Sequence, residues 1–170
     1  MERIGTYQPD EEFGPPRDFF VCSARTIGDL PDEVSPTAPH FGLFIAMDAR
    51  IVDDDLLRDV AGKVVAKGLV CLVAWGPGCK RVHDRVDDAG RDYNESDEKF
   101  IMTTWHHREL LKKALWYFAE ASIVADGYVL TCTDWIAASI ENPDWDKKIR
   151  DYLTGLIRYR TSTLNPGLDW

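Results

Sequence analysis

The sequence predicts a three-layer α/β sandwich: a mostly parallel sheet of four to five strands with helices on both faces. Three observations carry this expectation. Residues 41–47 and 69–75 are continuous apolar runs of the kind buried on both faces of a parallel sheet. Amphipathic helical patterns follow the strand-like runs in alternation, punctuated by Gly, Pro and Asp at Asp53–Asp55, Gly68, Gly76–Gly78 and Asp126–Gly127. With 170 residues, 45% of them hydrophobic, the chain can bury one sizeable core. We therefore expect a single domain over 1–170, with a surface arm at 1–17, a loop at 28–40 and the core at 41–160.

Along the chain, residues 1–17 are rich in Pro, Gly and acid, which suits an arm, and Asp18 to Ala24 reads as a first strand. Gly28 to His40 carries three prolines and reads as a loop. The run Phe41 to Met47 is a strand ending at Asp48. Asp53-Asp54-Asp55 opens a helix whose apolar residues fall at Leu56, Leu57, Val60, Val64 and Val65, with Gly68 as its stop. Leu69 to Trp75 is the next strand. Gly76-Pro77-Gly78 turns into a short helix with Cys79, Val82 and Val86 on one side, and the acidic segment Asp87 to Glu98 reads as a loop. Lys99 to Thr104 is a further strand, followed by a helix with Leu110, Leu111, Ala114, Leu115 and Phe118 at helical spacing. Asp126-Gly127 marks a turn. Tyr128 to Ile140 is too long for one plain buried strand, so a break or bulge is expected near Asp134. Asn142-Pro143 opens a last helix that buries Trp145, Ile149, Leu153, Leu156 and Ile157.

Acidic residues outnumber basic ones 29 to 20, a net charge of −9. That field repels nucleic-acid phosphates and anionic lipid and attracts a basic partner, so nucleic-acid binding and membrane association are not expected. The N-terminal residues lack a basic stretch followed by an apolar run, and no apolar stretch approaches a membrane span, so a cytoplasmic protein is expected. Cys22, Cys71, Cys79 and Cys132 form no close C-x-x-C pair, which argues against a disulfide scaffold or zinc ribbon.

Ligands of open parallel sheets bind outside the carboxyl ends of the strands. That rule selects Asp48 with Arg50, the turn Trp75 to Cys79 with His83 and Asp84, the segment Thr103-Thr104-Trp105-His106-His107, and Asp134-Trp135. A cysteine at a helix N-terminus has its thiolate favoured, so Cys79, His106 and Asp134 (or Asp48) could form an acyl-transfer triad. Cys79 to Arg85 also matches the C-x5-R pattern of phosphatases, although the intervening residues Lys80 to Asp84 are bulky for a phosphate cradle. Gly76-x-Gly78 is half of a dinucleotide fingerprint, but Arg81 stands where the third glycine belongs. No cofactor is expected. Zinc would require Cys79, His83 and His106 to converge with Asp84 or Asp134. Trp75, Trp105 and Trp135, at three expected strand ends, could frame a pocket or seal the sheet end.

The strings Trp75-Gly76-Pro77-Gly78-Cys79, His83-Asp84 and Thr103-Thr104-Trp105-His106 resemble those of an uncharacterised bacterial family of small α/β domains reading W-G-x-x-C, H-D and T-T-W-H. The resemblance covers about residues 41–140. It implies a bacterial cytosolic protein with an α/β fold and carries no activity.

Two function classes follow. One is a partner-binding protein of immunity or antitoxin type, whose acidic and aromatic surface occludes a basic protein effector. The other is a small Cys/His-dependent enzyme, a hydrolase or an acyl or phosphoryl transferase, with its site at the carboxyl ends of the strands. A sensor domain holding a nucleotide-like ligand between its indoles is a third. Convergence of Cys79, His106 and a carboxylate separates the enzyme from the others.

Overall fold

The computed structural model describes residues 1–10, 14–93 and 98–164. Its sheet has six strands, β1 (Glu2–Tyr7), β2 (Arg17–Ala24), β3 (His40–Ala46), β4 (Leu69–Trp75), β5 (Met102–His106) and β6 (Cys132–Ile140), in the order β1-β2-β6-β3-β4-β5. Every neighbouring pair is parallel except β1 with β2. The helices are α1 (Leu30–Glu33), α2 (Asp54–Ala66), α3 (Cys79–Gly90), α4 (Leu111–Trp116) and α5 (Pro143–Leu164), and α4 runs on into a π-helical turn at Tyr117–Ala121.

Alternation along the buried strands sorts their side chains into two cores, giving the expected three layers. Phe41, Leu43 and Ile45 of β3 meet α1, α2 and α3 through Leu30, Val34, Leu57, Val64 and Val86, while Phe44 and Ala46 meet α4 and α5 through Leu115, Phe118, Ile149 and Leu153. Helix α2 starts where Asp53 accepts the N–H groups of Asp55 and Leu56 at 3.0 and 3.1 Å. On the opposite face, the buried Arg17 donates to the carbonyls of Phe118 and Ala119 at 2.9 and 3.0 Å and to that of Ser122 at 2.6 Å. These are carbonyls that the π-helical turn leaves without the usual helical partner. The same guanidinium lies 3.9 Å from the Trp135 ring centroid, and burial lowers its pKa.

Several expectations are corrected. The arm at 1–17 contains β1, an edge strand that buries Tyr7 at its end, and this raises the strand count to six. The loop at 28–40 contains α1, with its Leu30 and the Val34 that caps its end both fully buried. The strand expected at 99–104 lies at Met102–His106, because Glu98 is held by the turn at Asp126–Tyr128, accepting the N–H of Gly127 at 2.8 Å. The acidic segment from Asp87 begins inside α3, which continues to Gly90; its residues 94–97, like the tail at 165–170, lie outside the described residues. A register shift does occur next to Asp134, where Phe41 pairs with Asp134 and His40 with Cys132. However, residues 128–131 are turn, so Asp134 and Trp135 open β6 and do not close it.

Candidate functional site

That last correction divides the expected site. All parallel strands run the same way, so Asp134 and Trp135 sit at the amino end of the sheet, opposite the rim that carries Asp48, Cys79 and His106. There Asp134 Oδ2 accepts the N–H groups of Thr37 and Ala38 at 2.6 and 3.1 Å and the Thr37 hydroxyl at 3.0 Å, pinning the segment that feeds β3. Trp135 is buried between Arg17 and Phe118 and fills the space left by Gly42, where a Cβ would fall 2.6 Å from its ring.

Cys79 is fully buried in the core beneath α2 and α3. Burial raises its pKa, and the backbone of His106, Cys79, Lys80 and Gly76 offsets that only in part. The His106 imidazole lies on the other face of the sheet, 4.7 Å from the Tyr117 ring, with Nδ1 3.1 Å from Glu109 and Nε2 3.3 Å from the Thr104 hydroxyl. Asp48 is exposed and bound by Arg50 at 2.5 Å, which lowers its pKa. The Cys79 thiol and the His106 imidazole therefore lie on opposite faces of the sheet, with Asp134 at its far end and Asp48 at the solvent-exposed rim tied to Arg50.

The phosphatase and zinc arrangements are not assembled either. Arg85 points to Asp54 and Asp88, at 3.2 and 2.7 Å, while Cys79 is packed in the core. His83 is engaged by Asp84 at 3.0 Å and by Thr103 at 3.1 Å. Among the described residues no group of three or more His, Cys, Asp or Glu could hold a metal ion. The two glycines of the Trp75–Cys79 turn serve packing. A Cβ on Gly76 would fall 2.2 Å from the Met47 carbonyl, and Gly78 has φ 71° against the backbone of Ala49 and Arg50. Ala49 donates to Pro77 at 2.8 Å and Arg81 donates to the Ala49 carbonyl, so this turn braces the loop after β3.

The three indoles do not frame one pocket. Trp75 donates to the Glu109 carbonyl at 2.8 Å and stands edge-on to Trp145 at 5.1 Å; Trp105 is 44% exposed beside His83; Trp135 is at the far end. Trp145, expected in the core, is only half-buried and lines a groove.

The open space on the carboxyl rim lies instead around the end of β6. Strands β2 and β3, on either side of it, lead to α1 and α2 on one face, whereas β6 leads to α5 on the other. The chain thus parts on both flanks of β6, the geometry that opens a crevice in an α/β sheet. Between β2 and β6 is a cleft of about 890 Å³ lined by Arg25, Asp29, Asp32, Glu33, Glu141 and Asp146. Between β6 and β3 is a groove of about 370 Å³ with apolar walls from Ile27, Met47, Ile51, Val52, Leu56 and Trp145. Ile51 is 95% exposed there.

Glu141 and Asn142 border both spaces. Glu141 has φ 58°, a left-handed conformation uncommon for a side-chain-bearing residue, while its N–H donates to the Ala24 carbonyl at 3.0 Å. Asn142 caps α5 by accepting the Trp145 N–H at 3.1 Å. Asp146 is paired with Arg150 at 2.7 Å, whereas Glu33 and Glu141 form no ion pair among the described residues. Sequence reasoning missed these positions. The strand-end rule would have selected Arg25 after Ala24 and Glu141 after Ile140, had the extent of β6 and its place between β2 and β3 been legible.

A family model described as a domain of unknown function (DUF7684) matches residues 19–155, from β2 into α5. No curated protein and no solved structure matches the chain. Among the described residues no helix is long and apolar enough to cross a membrane.

Proposed function

The chain belongs to the DUF7684 family, a domain of unknown function, and within it we propose a partner-binding protein of immunity or antitoxin type that covers a basic protein surface with the crevice around β6. The observation that carries this reading is the pairing of two unlike spaces on either side of Glu141. One is an acidic cleft whose Glu33 and Glu141 form no ion pair among the described residues, and the other an apolar groove walled by Ile51, Leu56 and Trp145. A basic segment carrying a large apolar side chain meets both: the side chain fills the groove while flanking lysines or arginines enter the cleft. The net charge of −9 supports the same choice by steering a cationic partner from a distance. Four free, buried cysteines suit a reducing compartment, and we place the protein in the cytoplasm.

The test compares capture from a cell lysate by the wild-type chain, by Glu33→Lys/Glu141→Lys, and by Asp151→Lys, which reverses an exposed charge on α5 away from the crevice. The reading expects a basic protein retained by the wild type and the α5 variant and lost from the crevice variant. Equal retention by all three contradicts it.

A further inference from the structure

The two edges of the sheet are unlike. The β1 edge carries Glu2 and Arg3, has a register shift between Arg3 and Gly5, and packs against α5. Charge and irregularity of this kind keep an edge from pairing with another chain. The β5 edge, Met102-Thr103-Thr104-Trp105-His106, has no proline, no charged lysine or acid and no bulge in its pairing with β4. Its Trp105 is 44% exposed, edge-on to His83 at 4.5 Å and with Lys80 5.4 Å from its ring centroid. An open strand beside a solvent-facing tryptophan has the character of an interface anchor.

We propose that this edge joins a second copy of the chain, by antiparallel pairing of β5 with β5 about a twofold axis at Thr104. Charge complementarity across the axis favours a second copy as the occupant. Such pairing sets Thr103 opposite Trp105 of the second copy and the reverse, as an isologous interface requires. Lys80 lies by Trp105, and Asp87 lies by Thr103, 3.4 Å from its hydroxyl. The axis therefore brings Lys80 of each copy towards Asp87 of the other, twice. Within one copy Lys80 bonds Asp84 at 2.7 Å and Arg91 approaches Asp87 only to 3.9 Å, so Asp87 retains room for a second cation.

Helix spacing agrees. Helix α3 packs on both β4 and β5, so its axis lies about half a strand spacing inside the edge. Adding the ~4.8 Å between paired strands puts the two α3 helices roughly 10 Å apart, the distance at which helices pack. Trp105 and His83 then fall between the strands and the helix pair, away from water. This inference does not depend on the crevice, which lies around β6 three strands away from β5.

Sedimentation velocity of the full chain at micromolar concentrations tests it, with circular dichroism to verify folding of each variant. The wild type is expected at twice the chain mass of 19.3 kDa. Lys80→Asp and Asp87→Lys, each placing like charges together, are expected to weaken association at least tenfold. The double variant restores the dimer, and Asp55→Lys on the exposed face of α2 leaves it unchanged. A wild-type chain that sediments as a monomer throughout, single reversals that leave the dimer intact, or a folded double variant that stays monomeric would each overturn the proposal.

Discussion

Asp134 Oδ2 accepts the backbone N–H of Thr37 at 2.6 Å, tying the second residue-pair of β6 to the segment that enters β3 at the amino end of the sheet. Together with the Ala38 N–H and the Thr37 hydroxyl this makes three hydrogen bonds to one oxygen of a carboxylate that is 2% exposed. Asp134→Ala leaves two amides without their acceptor. It should cost about 3 kcal/mol in urea unfolding, the range for a buried charge-assisted site. Partner capture should persist wherever the variant is folded, because the crevice lies at the other end.

Arg17 has a comparable role on the opposite face. Arg17→Met keeps volume but abandons the carbonyls of Phe118, Ala119 and Ser122 and the stack on Trp135. The expected loss is about 3 kcal/mol or more. Hydrogen exchange is expected to speed up first in the π-helical turn at Tyr117–Ala121; uniform acceleration over the domain would contradict this local assignment.

The thiols make stability fall at alkaline pH. Burial pushes Cys22 up to about 11 and Cys71 up to about 12, and raises Cys132 as well. Above the ordinary thiol value of ~8.5 the unfolded chain loses these protons while the folded chain keeps them. The folded state then binds more protons, so its stability is complete below about pH 8.5 and declines as pH rises towards the folded values, by roughly 1 kcal/mol per pH unit for each thiol. Urea midpoints from pH 7 to 10 check the sign, and Cys22→Ala should flatten the decline.

Cys79 should behave as a core side chain. Its burial and raised pKa predict alkylation far slower than that of a free thiol at pH 8, with a rate unchanged by His106→Ala because that imidazole lies across the sheet. Peptide mapping after timed alkylation reads the rate at Cys79. Rapid modification, altered by His106→Ala, would restore the enzyme reading.

The layers of the fold were legible because β3 and β4 are uninterrupted apolar runs and α2 has a sharp acidic start and a glycine stop, all local signals. Strand β1 was not, since Glu2 to Tyr7 is half polar and gains its place only by pairing with β2 and packing on α5. The crevice around β6 was not legible for a related reason. Its location depends on β6 lying between β2 and β3, a long-range arrangement that no local pattern encodes. The crevice does open on the carboxyl rim that the strand-end rule selects, but the emphasis on Cys79 and His106 followed residue chemistry, whereas the open space is lined by Arg25, Glu33, Glu141 and Trp145.

The most direct test of partner binding is an amide-resolved NMR titration of the wild-type chain with a synthetic amphipathic lysine–leucine helical peptide, repeated with Glu33→Lys/Glu141→Lys. The account predicts shifts concentrated at Arg25, Glu33, Glu141, Asn142 and Ile51, weakened by added salt and abolished in the double variant. Shifts scattered over the surface, or centred away from β6 and unchanged by the two reversals, would contradict it.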